Sequence, residues 1–359
     1  MFRLPTTLAL AATLLGSACA QTPDADQQAL DAVLAETPLF SGTVVVMHDN
    51  HVTAEAYIGL ANRETGRANA PDTLFSMGSI GKMITAYAVD ALIQSGSLDF
   101  DTPVRDVLTE LDLPATLTVD HLLRHRSGLS LASEPSDALL ETLTDTHARY
   151  VAFQALGLSS EGPAPFRYNN LNYLLLGEII ARRSGRPYET FIAELATHDN
   201  VVPPLRFDRD AVLAEGQDAR PYMPVDFDTW WNSETTIHGE SAAAYTFEAP
   251  LGHPSAGGGA YVTARDLAQF LSDIEAAGAV DRLCFIVTPE DRPAYGRGCS
   301  VRLEPGARRF GHTGSTAGVQ ARAFAYPDRG YEIVILSNHD GEAAPVLSAL
   351  EDTLGLRPE

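Results

Sequence analysis

Two apolar runs, one near each end of the chain, set the frame for what lies between them. Near the start, Gly42–Met47 is almost wholly apolar, Asp49-Asn50 forms a turn, and His51–Gly59 returns with partial alternation. This pattern predicts a hairpin over Phe40–Ala56. Near the end, Gln320–Tyr326 and the strongly apolar Tyr331–Leu336 flank Pro327-Asp328-Arg329-Gly330, a second hairpin with turn-forming residues at its centre. The middle is rich in helical periodicity and punctuated by proline. Strands at both ends with helices between them imply an α+β chain: one antiparallel sheet built from both ends, flanked by helices, with a mainly helical lobe inserted. The expected division is 28–100 with 255–359 for the sheet lobe, and 101–254 for the helical lobe with irregular cleft-wall segments. A catalytic site would sit where the lobes meet.

The helices can be placed from spacing. Ile80, Met83, Ile84, Ala88 and Ala91 recur at helical intervals and predict a helix after Met77, with Ser76 as its N-cap, Ser79 at its third position and Gly96 at its end. Val119–Arg124 reads as a short helix, Ser136–Leu156 as helix in two pieces, and Asn172–Arg183 and Pro187–Ala196 as two more. Leu205–Pro250 has scattered aromatics, Trp230-Trp231 among them, and little periodicity; it reads as an irregular wall of the cleft. Thr263 is placed to cap a helix running to about Ala276, and Ala343–Leu354 reads as a helix that packs back on the sheet.

The first residues read as an export signal. Arg3 precedes the apolar run Leu8–Leu15, and Ala18-Cys19-Ala20 gives an A-x-A cleavage site before Gln21, so 1–20 are expected to be removed and the protein to be secreted or periplasmic. Lipidation at Cys19 is the alternative, although Gly16 stands where lipoprotein signals usually have an aliphatic residue. Cys284 and Cys299 then remain, and in an oxidising compartment they can pair. The chain carries 47 acidic residues against 25 Lys plus Arg, a net charge of −22, which disfavours nucleic acid and anionic membrane surfaces as partners. No second apolar stretch is long enough to span a membrane, and nothing in the sequence indicates an oligomeric state.

Three short segments carry chemistry. Ser79-Ile80-Gly81-Lys82 puts a hydroxyl and an amine one helical turn apart, near the positive end of a helix. Tyr168-Asn169-Asn170 sets a phenol, which beside a cation can ionise and take a proton, two residues from an amide that can orient a substrate or cap the next helix. His312-Thr313-Gly314-Ser315 leads into a strand: Gly314 leaves room for a substrate backbone, Thr313 offers a hydroxyl, Ser315 an N–H, and His312 a positive charge toward a carboxylate. His121 and His125 stand four apart, which is metal-ligand spacing, but Leu122-Leu123-Arg124 between them supplies no His-Glu-x-x-His pattern, and no metal is expected. There is no Gly-x-Ser-x-Gly elbow around Ser79, no phosphate-cradling loop, and no cofactor motif.

In this order the segments resemble a known family. LFSMGSIGKMITA, TVDHLLRHRSGL, FRYNNLNYLLLGEII, SAGGGAYVTARDLAQFL, HTGSTAG and YPDRGYEIVILSNHDG are similar to stretches of class C beta-lactamases, serine D-alanyl-D-alanine peptidases and related esterases, over about Leu39–Ala349. The resemblance implies a beta-lactamase/transpeptidase-like fold and an acyl-enzyme mechanism. It makes Ser79 the nucleophile, Lys82 and Tyr168 the base system, Asn170 a substrate-positioning residue, and the N–H groups of Ser79 and Ser315 the oxyanion hole. One departure stands out: class C beta-lactamases usually have Lys at the place of His312, whereas a His-Thr-Gly segment resembles some secreted D-alanyl-D-alanine carboxypeptidases. The expected function is that of a D-alanyl-D-alanine carboxypeptidase-like serine hydrolase. The alternatives are a short-chain carboxylesterase, a weak beta-lactamase, or a non-catalytic peptidoglycan-binding or sensor protein. The substrate would be a small peptide or ester.

Overall fold

Asp49 and Asn50 both adopt left-handed backbone, φ 50° and 64°, which matches the right-handed twist of flanking strands. They close a hairpin between β1 (Gly42–His48) and β2 (His51–Ile58). Four further strands come from the end of the chain: β3 (Ser300–Arg302), β4 (Arg309–Thr316), β5 (Val319–Tyr326) and β6 (Tyr331–Ser337). The six form one antiparallel sheet in the order β3-β4-β5-β6-β1-β2, with β6 running along β1 from Gly42 opposite Ser337 to His48 opposite Tyr331. The sheet is therefore closed by pairing the first strand with the last, as expected from the two apolar runs. The computed structural model describes residues 23–233, 237–287, 291 and 293–358. The signal reading of 1–20 and Cys19 lie outside them.

Both faces of the sheet are covered, so its central strands have few polar residues. Along β1, Val45 and Met47 point into the main core, while Val44 and Val46 join a second core on the opposite face. That second face is covered by α1 (Pro23–Ala35), through Leu30 and Val33, and by the helix Ala343–Thr353, through Val346, Leu347 and Leu350. The first of these helices was not anticipated from the sequence. The main core lies between the sheet and the helices α2 (Gly81–Gln94), α3 (Thr146–Ala155), α4 (Asn170–Ser184) and α5 (Ala264–Ala276). Burying side chains of this size contributes roughly 1.5–3 kcal/mol each.

Local signals set the helix ends. Thr263 accepts from the Asp266 N–H at the start of α5, as its sequence pattern indicates. Asp137–Leu140 and α3 are the two expected pieces, the second capped by Asp145, which accepts from Ala148 N. The start of α4 departs from expectation: Asn169, not Asn170, is the cap, accepting from Leu171 N at 2.9 Å. Cys284 and Cys299 form a disulfide with Cα atoms 5.2 Å apart. A loop of this length is worth about 3 kcal/mol in the chain-entropy model. Among the described residues no helix is long and apolar enough to cross a membrane.

One buried acid makes the sheet pH-sensitive. Glu332 of β6 is buried with no partner for Oε2, and burial, reinforced by Glu275 and Asp49, raises its carboxyl from 4.5 to about 8. Between those values the folded chain keeps a proton that the unfolded chain has released, so stability falls as pH rises through the window. Glu332→Gln removes this dependence. In urea denaturation the variant should match the parent near pH 5 and exceed it near pH 9 by about 2 kcal/mol or more.

Candidate active site

The segment before α2 is held by pairing rather than by a cap. Ser76 is drawn into a short antiparallel pair opposite Tyr261, and its hydroxyl reaches the Gly259 carbonyl at 3.3 Å, so it does not cap the helix. The chain then turns through Gly78, φ 51°, into a single 3-10 turn over Gly78–Ile80 that carries Ser79, and α2 begins at Gly81. Three backbone segments converge here closely enough to exclude any side chain. A Cβ on Gly314 would lie 2.1 Å from the Met77 carbonyl oxygen, one on Gly258 2.2 Å from that of Gly78, and one on Gly81 2.8 Å from Gly258 Cα. The space spared at Gly314 is thus used by Met77 and is not room left for a substrate.

This convergence buries Lys82 beneath Ser79. Its Nζ lies 3.0 Å from Ser79 Oγ and donates to the Gly257 carbonyl at 2.6 Å, with the rings of Tyr168 and Tyr173 at 5.0 and 5.5 Å. Among the described residues no carboxylate pairs with it. Burial without a counter-ion pushes the amine down to about 7. Tyr168, next to the start of α4, sets its ring over Lys82, and the Ser79 hydroxyl nearby slightly favours the ionised phenol. Burial raises its phenol to about 12, so near neutrality it keeps its proton. That differs from the expectation of a partly ionised tyrosine: desolvation outweighs any help from the nearby amine, which is itself pushed down to about 7.

His312 is also unlike its expectation. It is buried on β4, where Nε2 meets the Tyr295 hydroxyl at 3.0 Å and Nδ1 meets the Thr313 carbonyl at 2.5 Å. A carbonyl can only accept, so Nδ1 carries the proton and Nε2 accepts from Tyr295. Burial, with a smaller effect from Lys82, pushes the ring down to about 4. His312 is therefore a neutral ring fixed by Tyr295, not a cation offered to a carboxylate. Thr313 and Ser315 are exposed on the same strand, and Ser315 N approaches Gly78 beside the nucleophile turn.

His121 and His125 serve the local backbone. His121 Nδ1 bonds the Thr118 hydroxyl at 2.8 Å at the start of its own short helix. His125, buried at φ 55°, accepts at Nδ1 from Asn169 N at 3.1 Å and meets Asn172 Nδ2 at 2.9 Å, while its ring lies 4.3 Å from that of Tyr168. It thereby braces the turn that presents Tyr168 and Asn170.

A cavity of about 280 Å³ opens beside Ser79, walled by Asn170, Ser315, Thr316, Gly257–Gly259 and, farther out, Arg149, Phe153 and His253. A larger hollow of about 880 Å³ lies in the helical lobe along Glu178, Tyr188 and Phe207; it shares His253 with the cavity beside Ser79 but is not lined by Ser79, Lys82, Tyr168 or His312. The segment Leu205–Pro250, expected to wall the cleft, contributes no described residue to the cavity beside Ser79, and its aromatics pack elsewhere. Tyr222 accepts from Arg63 N at 2.7 Å and Tyr245 bonds Glu342. Trp230 packs on Met223, Ala249 and Ala317.

The serine over a buried amine, the glycine junction and the two-ended sheet coincide with one family model. The beta-lactamase family matches residues 27–354. The chain belongs to the beta-lactamase family. This family member is similar to penicillin-binding protein PbpX of Bacillus subtilis (strain 168), 31% identical over 153 residues, which are 43% of this chain and 38% of that protein. It is also similar to esterase EstB of Burkholderia gladioli, 28% identical over 377 residues, 91% of this chain and 93% of that protein. The chain thus spans well under half the length of the first relative and nearly all of the second. A penicillin-binding protein from Bacillus halodurans shares the fold, with TM-score 0.74 at 24% identity, over 90% of this chain and 99% of that one.

The glycine junction makes a stability prediction. Gly314→Ala should lower the melting temperature by several degrees, since overpacking costs roughly 1–3 kcal/mol. Gly257→Ala, whose nearest neighbour would be the Ser255 hydroxyl at 3.6 Å, should change it much less. Equal effects in thermal denaturation would show that the junction is not tight.

Proposed function

We propose that this protein is an exported serine hydrolase that acylates itself at Ser79, acting on peptides that end in D-alanine. The observation that carries the reading is the buried Lys82 amine, pushed down to about 7 so that a large share is neutral near that pH, and 3.0 Å from Ser79 Oγ. A neutral amine held at that distance can take the hydroxyl proton as Oγ attacks a carbonyl carbon. The developing oxyanion would be met by the N–H groups of Ser79 and Ser315. The leaving group takes a proton from Tyr168, which recovers one from the Lys82 ammonium; water then cleaves the ester and frees Ser79. Asn170 holds the substrate and Thr313 offers it a hydroxyl.

Export is supported by the signal-like start of the chain and by the disulfide, which belongs to oxidising compartments. The preference for D-alanyl peptides rests on the His-Thr-Gly segment and on the likeness to a penicillin-binding protein. A second reading, hydrolysis of short-chain esters, is favoured by the likeness to an esterase over 93% of that protein. Beta-lactams would acylate Ser79 slowly.

Incubation with a fluorescent penicillin should label Ser79, located by peptide mass spectrometry, and Ser79→Ala should abolish it. Release of D-alanine from a D-alanyl-D-alanine peptide should exceed turnover of a nitrophenyl ester; the reverse ranking would select the esterase. The pH profile provides a separate test. Acylation should rise as pH increases through about 7, as Lys82 loses its proton, and then level off. Lys82→Arg, which stays charged, should slow it about 100-fold or more. A rate flat from pH 5 to 9 would remove Lys82 as the base.

A further inference from the structure

His312, the expected cation, is a neutral buried ring that does not line the cavity beside Ser79, yet a wall of that cavity carries an arginine. Arg149 of α3 lines the cavity that contains Ser79. Its Nη2 donates to the His253 carbonyl at 2.8 Å, and its Nε is buried with no partner. Among the described residues no carboxylate forms an ion pair with it. The two acids that influence it most are engaged elsewhere: Glu141 pairs with Arg209 at 2.9 Å, and Asp145 accepts from Ala148 N. In a chain of net charge −22, a half-buried arginine with no carboxylate partner among the described residues, in the wall of this cavity, is available to a carboxylate brought by a ligand.

Asn170 and Ser315, which would hold the carbonyl under attack, line the same cavity as Arg149. The described walls of the cavity include Asn170, Ser315 and Thr316, but not Tyr168, His312 or Thr313. A leaving group must lie toward Tyr168, which gives it a proton. The cavity, whose described walls lack Tyr168, is the space we assign to the acyl portion.

We propose that Arg149 is a specificity-determining residue that binds a carboxylate on the acyl portion of the substrate, so that this protein prefers acyl donors carrying an anionic side group or terminus. The inference rests on Ser79 being the acylated residue. A planar guanidinium with donors to spare suits a carboxylate in a partly desolvated wall.

The test compares two esters of equal chain length, mono-4-nitrophenyl adipate and 4-nitrophenyl hexanoate, in the parent, Arg149→Gln and Arg149→Lys. The ratio of kcat/KM for adipate to that for hexanoate should fall about tenfold or more in Arg149→Gln, mainly through KM, and be partly restored in Arg149→Lys. The parent's ratio should also decline with added salt. A purely structural role would lower both rates together and leave the ratio unchanged, and that result overturns the proposal. If neither ester shows Ser79-dependent turnover, the hydrolase reading fails separately. Calorimetric titration of adipate then decides the anion site alone: binding weakened about tenfold by Arg149→Gln supports it, and equal or undetectable binding to both proteins overturns it.

Discussion

The candidate site depends on backbone meeting backbone. Met77–Ser79, Gly257–Gly259 and Gly314–Ser315 approach so closely that a single Cβ at Gly314 or Gly258 would overlap a carbonyl oxygen. Side chains could not bring these segments together; only their absence does. The approach sets the Gly257 carbonyl over α2, where it receives Lys82, and sets Ser315 beside Gly78. Once the junction is closed, water is excluded from Lys82 and its proton affinity falls. The chemistry of the amine is in that sense a consequence of packing.

Desolvation also shifts the titratable groups nearby, in a direction set by their type, with His312 buried and Tyr168 still partly exposed. Lys82 and His312 are pushed down, Tyr168 is pushed up, and all three tend toward neutrality. Tyr295 and His125 add the hydrogen bonds that fix ring orientations around them. The interior of the site is thus a set of neutral donors and acceptors, and Arg149 stands as a charge at its outer wall.

Much of the architecture was legible because it is written in local periodicity. The two hairpins, the capped start of α5 and the break between the two pieces before Leu156 all follow from residues within a few positions of one another. The segments carrying Ser79, Lys82, Tyr168 and His312 were legible for the same reason. Their charge states were not, since desolvation of Lys82 depends on a glycine loop 175 residues away and the neutrality of His312 depends on Tyr295. Ser76 looked like a cap and became part of a strand pair because Tyr261, far along the chain, competes for its backbone. Arg149 gave no signal at all in Thr146–Ala155, an ordinary amphipathic stretch; only the cavity distinguishes it from a surface arginine.

The pairing of β1 with β6 has a consequence for how the protein comes into being. Val44 through Val46 emerge near the start of the chain, yet the strand that flanks them on the inner side begins only at Tyr331. Contacts so distant in sequence form slowly, because a long loop must be closed before any pairing energy is returned. Until then β1 offers an open, valine-rich edge to any other chain. A protein built this way gains from being threaded across a membrane as an unfolded polypeptide and closing its sheet once the last strand has arrived.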